Sequence, residues 1–111
     1  MTINFRTRRL KQLLDSDNAL QRRYGQQGAK RVKARMALLL GAESLHRVPR
    51  LRPERLHQLK GRRKEEFAVD LGHRLRLTFV PDHDPVPRHQ DGGIDLQRVT
   101  AITIRNIEDY H

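Results

Sequence analysis

Residues 65–80, EEFAVDLGHRLRLTFV, decide how this chain folds. Phe67, Val69 and Leu71 alternate with polar or small neighbours, and Leu75, Leu77 and Phe79 do the same further on. A period of two is that of a strand with one buried face. Gly72 and His73 lie between the two runs and suit a tight turn, so the stretch reads as a β-hairpin with an apolar face. The other face of the second strand carries Arg74, Arg76 and Thr78.

Outward from the hairpin, LHQLK upstream reads as a short strand, reached through RVPRLRPERL, whose two prolines forbid a regular helix or central strand. Downstream, PDHDPVPRHQDGGID reads as a long mobile loop over 81–95. VTAITIRNI is rich in β-formers and is the last strand, running into Asp109, Tyr110 and His111. Near the start, TINF is strand-like. Leu10, Leu13 and Leu14 then recur at helical spacing, and DSD closes that helix or caps the next. Gly25 and Gly28 bracket a glutamine-rich turn. From Ala29 a second helix carries an apolar stripe of Ala29, Val32, Met36, Leu39 and Leu40, and Gly41 is its stop. Lys30, Arg31 and Arg35 fall largely away from that stripe. A strand, two helices and then a run of strands predict an α+β domain, with the helices on one face of a mainly antiparallel sheet of four to five strands.

The 111 residues suit one domain, residues 1–111. There is no run long and apolar enough for a membrane span and no export segment at the start. With 0 cysteines, disulfides and thiol chemistry are excluded, which fits a cytoplasmic setting. Charge is the strongest global signal. Residues 1–64 hold 18 basic and 4 acidic side chains, whereas residues 65–111 hold 5 and 9. A first part at +14 and a second at −4 predict a surface that faces a polyanion, most plausibly nucleic acid. An anionic membrane is a poorer partner, because few large apolar residues accompany the charge.

No metal site is predicted. His83 between Asp82 and Asp84 lies in the proline-rich loop without paired ligands at rigid spacing. No phosphate-binding glycine loop occurs, and no serine stands beside an obvious base. The remaining chemistry-bearing residues are His57 and Lys60 in LHQLKG, Arg76, and the trio Asp109, Tyr110 and His111. On an ideal strand His57 and Lys60 point to opposite faces, so a twist near Gly61 is needed to bring them together.

Taken together, LHQLKG at 56–61, FAVDL followed by RLRLTF, and the closing VTAITIRNIEDYH resemble the HigB branch of the RelE/ParE superfamily, toxins of type II toxin–antitoxin systems. The resemblance covers nearly the whole chain. It implies a RelE-like fold and a cofactor-free, metal-independent endoribonuclease that cuts mRNA in the ribosomal A site. The ribose 2′-hydroxyl attacks the adjacent phosphate, leaving a cyclic phosphate and a 5′-hydroxyl. It implies two kinds of partner: the ribosome with its mRNA, and a helix-turn-helix antitoxin of the HigA kind, through which alone operator DNA is reached.

Carried over position by position, it makes His57, Lys60, Arg76, Asp109, Tyr110 and His111 the catalytic set. Lys30, Arg31, Arg35, Arg62, Arg63 and Arg74 are the basic residues expected to meet RNA. Here the 81–95 loop is longer than in compact members, and His111 carries the terminal carboxylate. Relatives of this fold that act on DNA gyrase, or that bind without catalysis, are the alternative. The residue types suit metal-free RNA cleavage on their own account. An imidazole can move the proton, cations can hold the phosphorane, and a phenol can stack on a base.

Overall fold

The computed structural model describes residues 1–72 and 74–110. It is an α+β domain in which two helices cover one face of a five-stranded sheet. Strand β1 (Thr2–Phe5) is followed by helix α1 (Arg8–Asp15), helix α2 (Asp17–Gly41) and strands β2 (His57–Gln58), β3 (Phe67–Asp70), β4 (Leu75–Pro81) and β5 (Ala101–Asp109). The order across the sheet is β1-β5-β4-β3-β2. Three of the four pairings are antiparallel; β1 runs parallel to β5, which makes the sheet mixed. This is the expected class and agrees with the RelE-like arrangement that the resemblance implies.

The predicted hairpin forms, with Val69 opposite Leu77 and Phe67 opposite Phe79. Leu77, Phe79, Ile102 and Ile104 are fully buried together with Leu20, Val32 and Leu39 from α2. Each such side chain contributes about 1.5–3 kcal/mol by leaving water.

Helix α1 follows the predicted leucine spacing, but α2 starts at Asp17, well before the expected start at Ala29. Thr7 Oγ1 accepts from the Leu10 N–H at 3.1 Å, and Ser16 Oγ accepts from the Ala19 N–H at 3.1 Å, so each hydroxyl satisfies one orphan donor of a first turn. Two further details of α2 differ from expectation. The break lies at Gly25 alone, with φ 77° and ψ 174°, while Gln26, Gln27 and Gly28 are helical. Leu40 is 63% exposed, so the buried stripe ends at Leu39.

Arg35 is a larger correction. It is buried, not turned outward, because its Nε donates to the Asp70 carbonyl at 2.7 Å. It ties α2 to the end of β3 and is withdrawn from any phosphate-facing surface.

The segment expected as a featureless loop carries its own bonds. Arg88 bridges Ile94, the Asp95 N–H donates to the Pro87 carbonyl, and Ile94 is buried in the core. His83, weighed above as a metal ligand, accepts through Nε2 from the Thr100 and Ala101 N–H groups at 3.1 and 3.3 Å. That is a structural role at the entrance to β5.

One irregularity sets up the other face of the sheet. Phe79 pairs with Ile104 and Thr78 with Asn106, so Arg105 is the extra residue of a β-bulge. Ile102 and Ile104 face the helices ahead of the bulge, and Ile107, opposite Leu77, faces them after it. The bulge shifts the alternation by one residue and sends Asn106, Glu108 and Tyr110 to the face without helices.

Candidate active site on the open face of the sheet

Register alone groups the residues of this face. His57 lies opposite Ala68, Ala68 opposite Thr78, and Thr78 opposite Asn106. The next row holds Asp70, Arg76 and Glu108. His57 and Arg76 therefore share a face, two strands and one row apart, or roughly 12 Å at ordinary strand spacing and rise.

Strand β2 is only two residues long, and its neighbours leave strict alternation. Leu56 and Leu59, three apart, are both buried. His57, which is half-buried, and Lys60, which is exposed, are also three apart. Strict alternation is thus broken between His57 and Lys60, with Gly61 at φ 67° just beyond. His57 Nδ1 lies 2.8 Å from the Arg55 carbonyl oxygen. A carbonyl only accepts, so Nδ1 carries a proton and Nε2 is the nitrogen that can gain or lose one.

Tyr110 is held from three sides. Its N–H donates to the Arg74 carbonyl at 3.0 Å, and its hydroxyl donates to Asp70 Oδ1 at 3.2 Å. The Arg76 guanidinium stands 5.0 Å from its ring centroid, a cation–π contact. Asp70 also takes two bonds from Arg55, at 2.7 and 3.1 Å. The hydrogen bond to Asp70 leads the causes that raise the Arg55 guanidinium above its ordinary value.

Glu108 is the hub of the opposite side. It accepts from Arg76 Nε at 2.8 Å and from both terminal nitrogens of Arg63, at 2.9 and 3.2 Å. Burial pushes the Glu108 carboxyl up, but the bonds from Arg63 and Arg76 outweigh it, and the group ends below its ordinary value. Arg63 also reaches Glu66 at 2.6 Å, and Arg105 lies 3.4 Å from the same carboxylate.

The sheet face thus joins His57, Arg76 and Tyr110, and Lys60 is exposed two residues beyond β2. Arg74 lines a cavity of about 400 Å³ together with Arg52 and Tyr110. Arg31 reaches the same rim: a Cβ at Gly72 would fall 2.7 Å from its δ-carbon. Arg62 is exposed in the turn after Lys60, and Lys30 is exposed on α2. Asp109 is opposite Leu75, so it leaves the strand on the other side from Glu108 and Tyr110. His111 lies outside the described residues.

Glu108, Asp70 and Arg55 are the members that sequence reasoning missed. The clue to Glu108 was legible: apolar positions 102, 104 and 107 step by two and then three, which marks the bulge. Among the described residues, no group of three or more His, Asp or Glu side chains could hold a metal ion, and no helix is long and apolar enough to cross a membrane. Comparison with protein-family models and with curated proteins finds no match for this chain.

Proposed function

We propose that this chain is the toxin of a type II toxin–antitoxin pair, a HigB-like, ribosome-dependent endoribonuclease acting on mRNA in the cytoplasm. The observation that carries the reading is the sharing of one sheet face by His57, Arg76 and an anchored Tyr110. On this reading His57 Nε2 exchanges the proton, as base for the 2′-hydroxyl or acid for the departing 5′-oxygen. Arg76 and Lys60 hold the charge of the phosphorane, and the Tyr110 ring offers a surface for a splayed base. His111 would be the second proton-transfer group.

Glu108 neutralises Arg63 and Arg76 in the free protein, so the cations are preset but not bare. Incoming RNA phosphate competes with that carboxylate, which suits an enzyme that needs the ribosome to present its substrate. The +14 charge of residues 1–64 supports a ribosomal docking surface, and a helix-turn-helix antitoxin is the expected inhibitor.

Primer extension on mRNA after brief induction tests the reading. Cuts at codon-spaced positions are expected, with little cutting of naked transcript by the pure protein. DNA-damage signalling without mRNA cuts would point instead to gyrase, and binding without either to an idle interaction domain.

A further inference from the structure

We infer that a second subsite, at the corner between α1, α2 and the β5 bulge, holds one nucleotide of the mRNA strand beyond the position that is cut. The inference rests on the RNA reading above. Four guanidiniums, from Arg6, Arg9, Arg23 and Arg105, line a cavity of about 160 Å³ there, and its described lining contains no aspartate or glutamate. Arg105 also reaches Glu66 at 3.4 Å, but among the described residues Arg6, Arg9 and Arg23 have no carboxylate in ion-pair range, unlike Arg55, Arg63 and Arg76 on the sheet face. Arg6 spends its Nε on the Arg105 carbonyl at 3.1 Å, which fixes its direction and leaves its terminal nitrogens available. Clustered like charges repel, and an anion among them reverses the sign of that interaction.

The rest of the cavity suits a flat ring. Leu10 and Leu13 give it an apolar floor, and Tyr24 presents a half-buried ring with the Arg23 guanidinium 5.9 Å from its centroid. Burial pushes the Tyr24 phenol up, so it stays neutral beside an anion. A phosphate among arginines with a base against tyrosine is the usual pairing in single-strand recognition. The volume is below the roughly 300–1,000 Å³ of a free-ligand pocket, which favours one unit of a longer strand.

Continuity selects that strand. Arg6, Arg105 and Asn106 also line the groove that holds Glu108 and Arg63, so RNA crossing the sheet face can turn at the bulge into the corner.

The test uses full-length protein and fluorescent RNA oligonucleotides with 2′-deoxy substitutions, so that binding is read without cleavage. Arg9→Ala with Arg23→Ala, both exposed positions, should weaken a ten-nucleotide RNA by about tenfold or more and leave a three-nucleotide RNA unchanged. The slope of log affinity against log salt should fall by about 0.7 for the one lost phosphate contact. Arg9→Gln with Arg23→Gln should do the same while keeping longer polar side chains. Equal affinity of wild type and both variants for the long RNA would overturn the subsite. So would a polyglutamate peptide of matched charge that binds the corner as tightly as RNA, since that marks a protein-facing surface. A variant that loses affinity equally for empty and mRNA-loaded ribosomes would also overturn it, by assigning the corner to ribosomal RNA. Absence of codon-positioned cuts with the length-dependent binding intact would defeat the nuclease reading and leave the RNA site standing.

Discussion

Leu77 and Arg76 are consecutive in β4, yet they face opposite surroundings. Leu77 and Phe79 are fully buried beneath the helices, where stability depends on close packing. Arg76 and Thr78 point the other way. There the cover is a chain of charges from Arg105 through Glu66, Arg63, Glu108 and Arg76 to Tyr110 and Asp70. The first face can be satisfied by any well-fitting apolar set. The second needs particular partners, since a half-buried carboxylate or guanidinium left alone is costly. Substitutions on the helix-covered face should therefore change whether the protein folds, and those on the open face should change what the folded protein does.

The sharpest way to break that contrast is Phe79→Ala. Phe79 stacks with Phe67 at 6.3 Å between ring centroids and is fully buried, so its removal should cost about 3–5 kcal/mol. A stability loss in urea unfolding of less than a third of that would mean the helix-covered face does not hold the fold.

Tyr110→Phe is a smaller probe, on the open face. It removes the hydroxyl that donates to Asp70 but keeps the ring over Arg76. A loss of about 0.5–1.5 kcal/mol is expected, with most RNA binding preserved if the ring stacks. Loss of binding with unchanged stability would assign the role to the hydroxyl.

The smallest effect concerns acid. Bonds from Arg63 and Arg76 hold the Glu108 carboxyl below its ordinary value near 4.5 despite the opposing push of burial. A lowered folded value means that this carboxylate stabilises above the unfolded value, and that its contribution fades as pH falls through the folded one. Glu108→Gln should therefore narrow its stability gap to wild type as pH drops below about 4.5. A gap that widens on acidification would show that Glu108 is not the carboxylate those arginines hold.

Much of the fold was legible because apolar alternation and helical spacing are local properties. Phe67 to Leu71 and Leu75 to Phe79 announce their strands, and Leu10, Leu13 and Leu14 announce α1, whereas the start of α2 at Asp17 was missed. What was not legible depends on distant partners. Arg35 looks like a solvated helix cation, and only the approach of α2 to the end of β3 offers it the Asp70 carbonyl. Gly28 looked like part of a turn, but it lets Tyr24 pack closely within α2, where a Cβ would lie 2.7 Å from that of Tyr24. For the candidate site, His57, Arg76 and Tyr110 stood out by residue type and by resemblance, whereas Glu108 and Asp70 acquire their parts only through strand register. The residues of β5 from Arg105 to Asp109 cannot be assigned to faces until the bulge at Arg105 is counted.

The central claim is that the open face is a catalytic surface built on an independent core, and His57→Gln tests it most directly. Gln can keep a polar contact near Arg55 but cannot transfer a proton at neutral pH. Melting and the rate of ribosome-bound mRNA cleavage should be measured on the same preparation. The account predicts an unchanged melting temperature and a cleavage rate lower by about 10²-fold or more. Full-rate cleavage by a normally folded His57→Gln protein would contradict it.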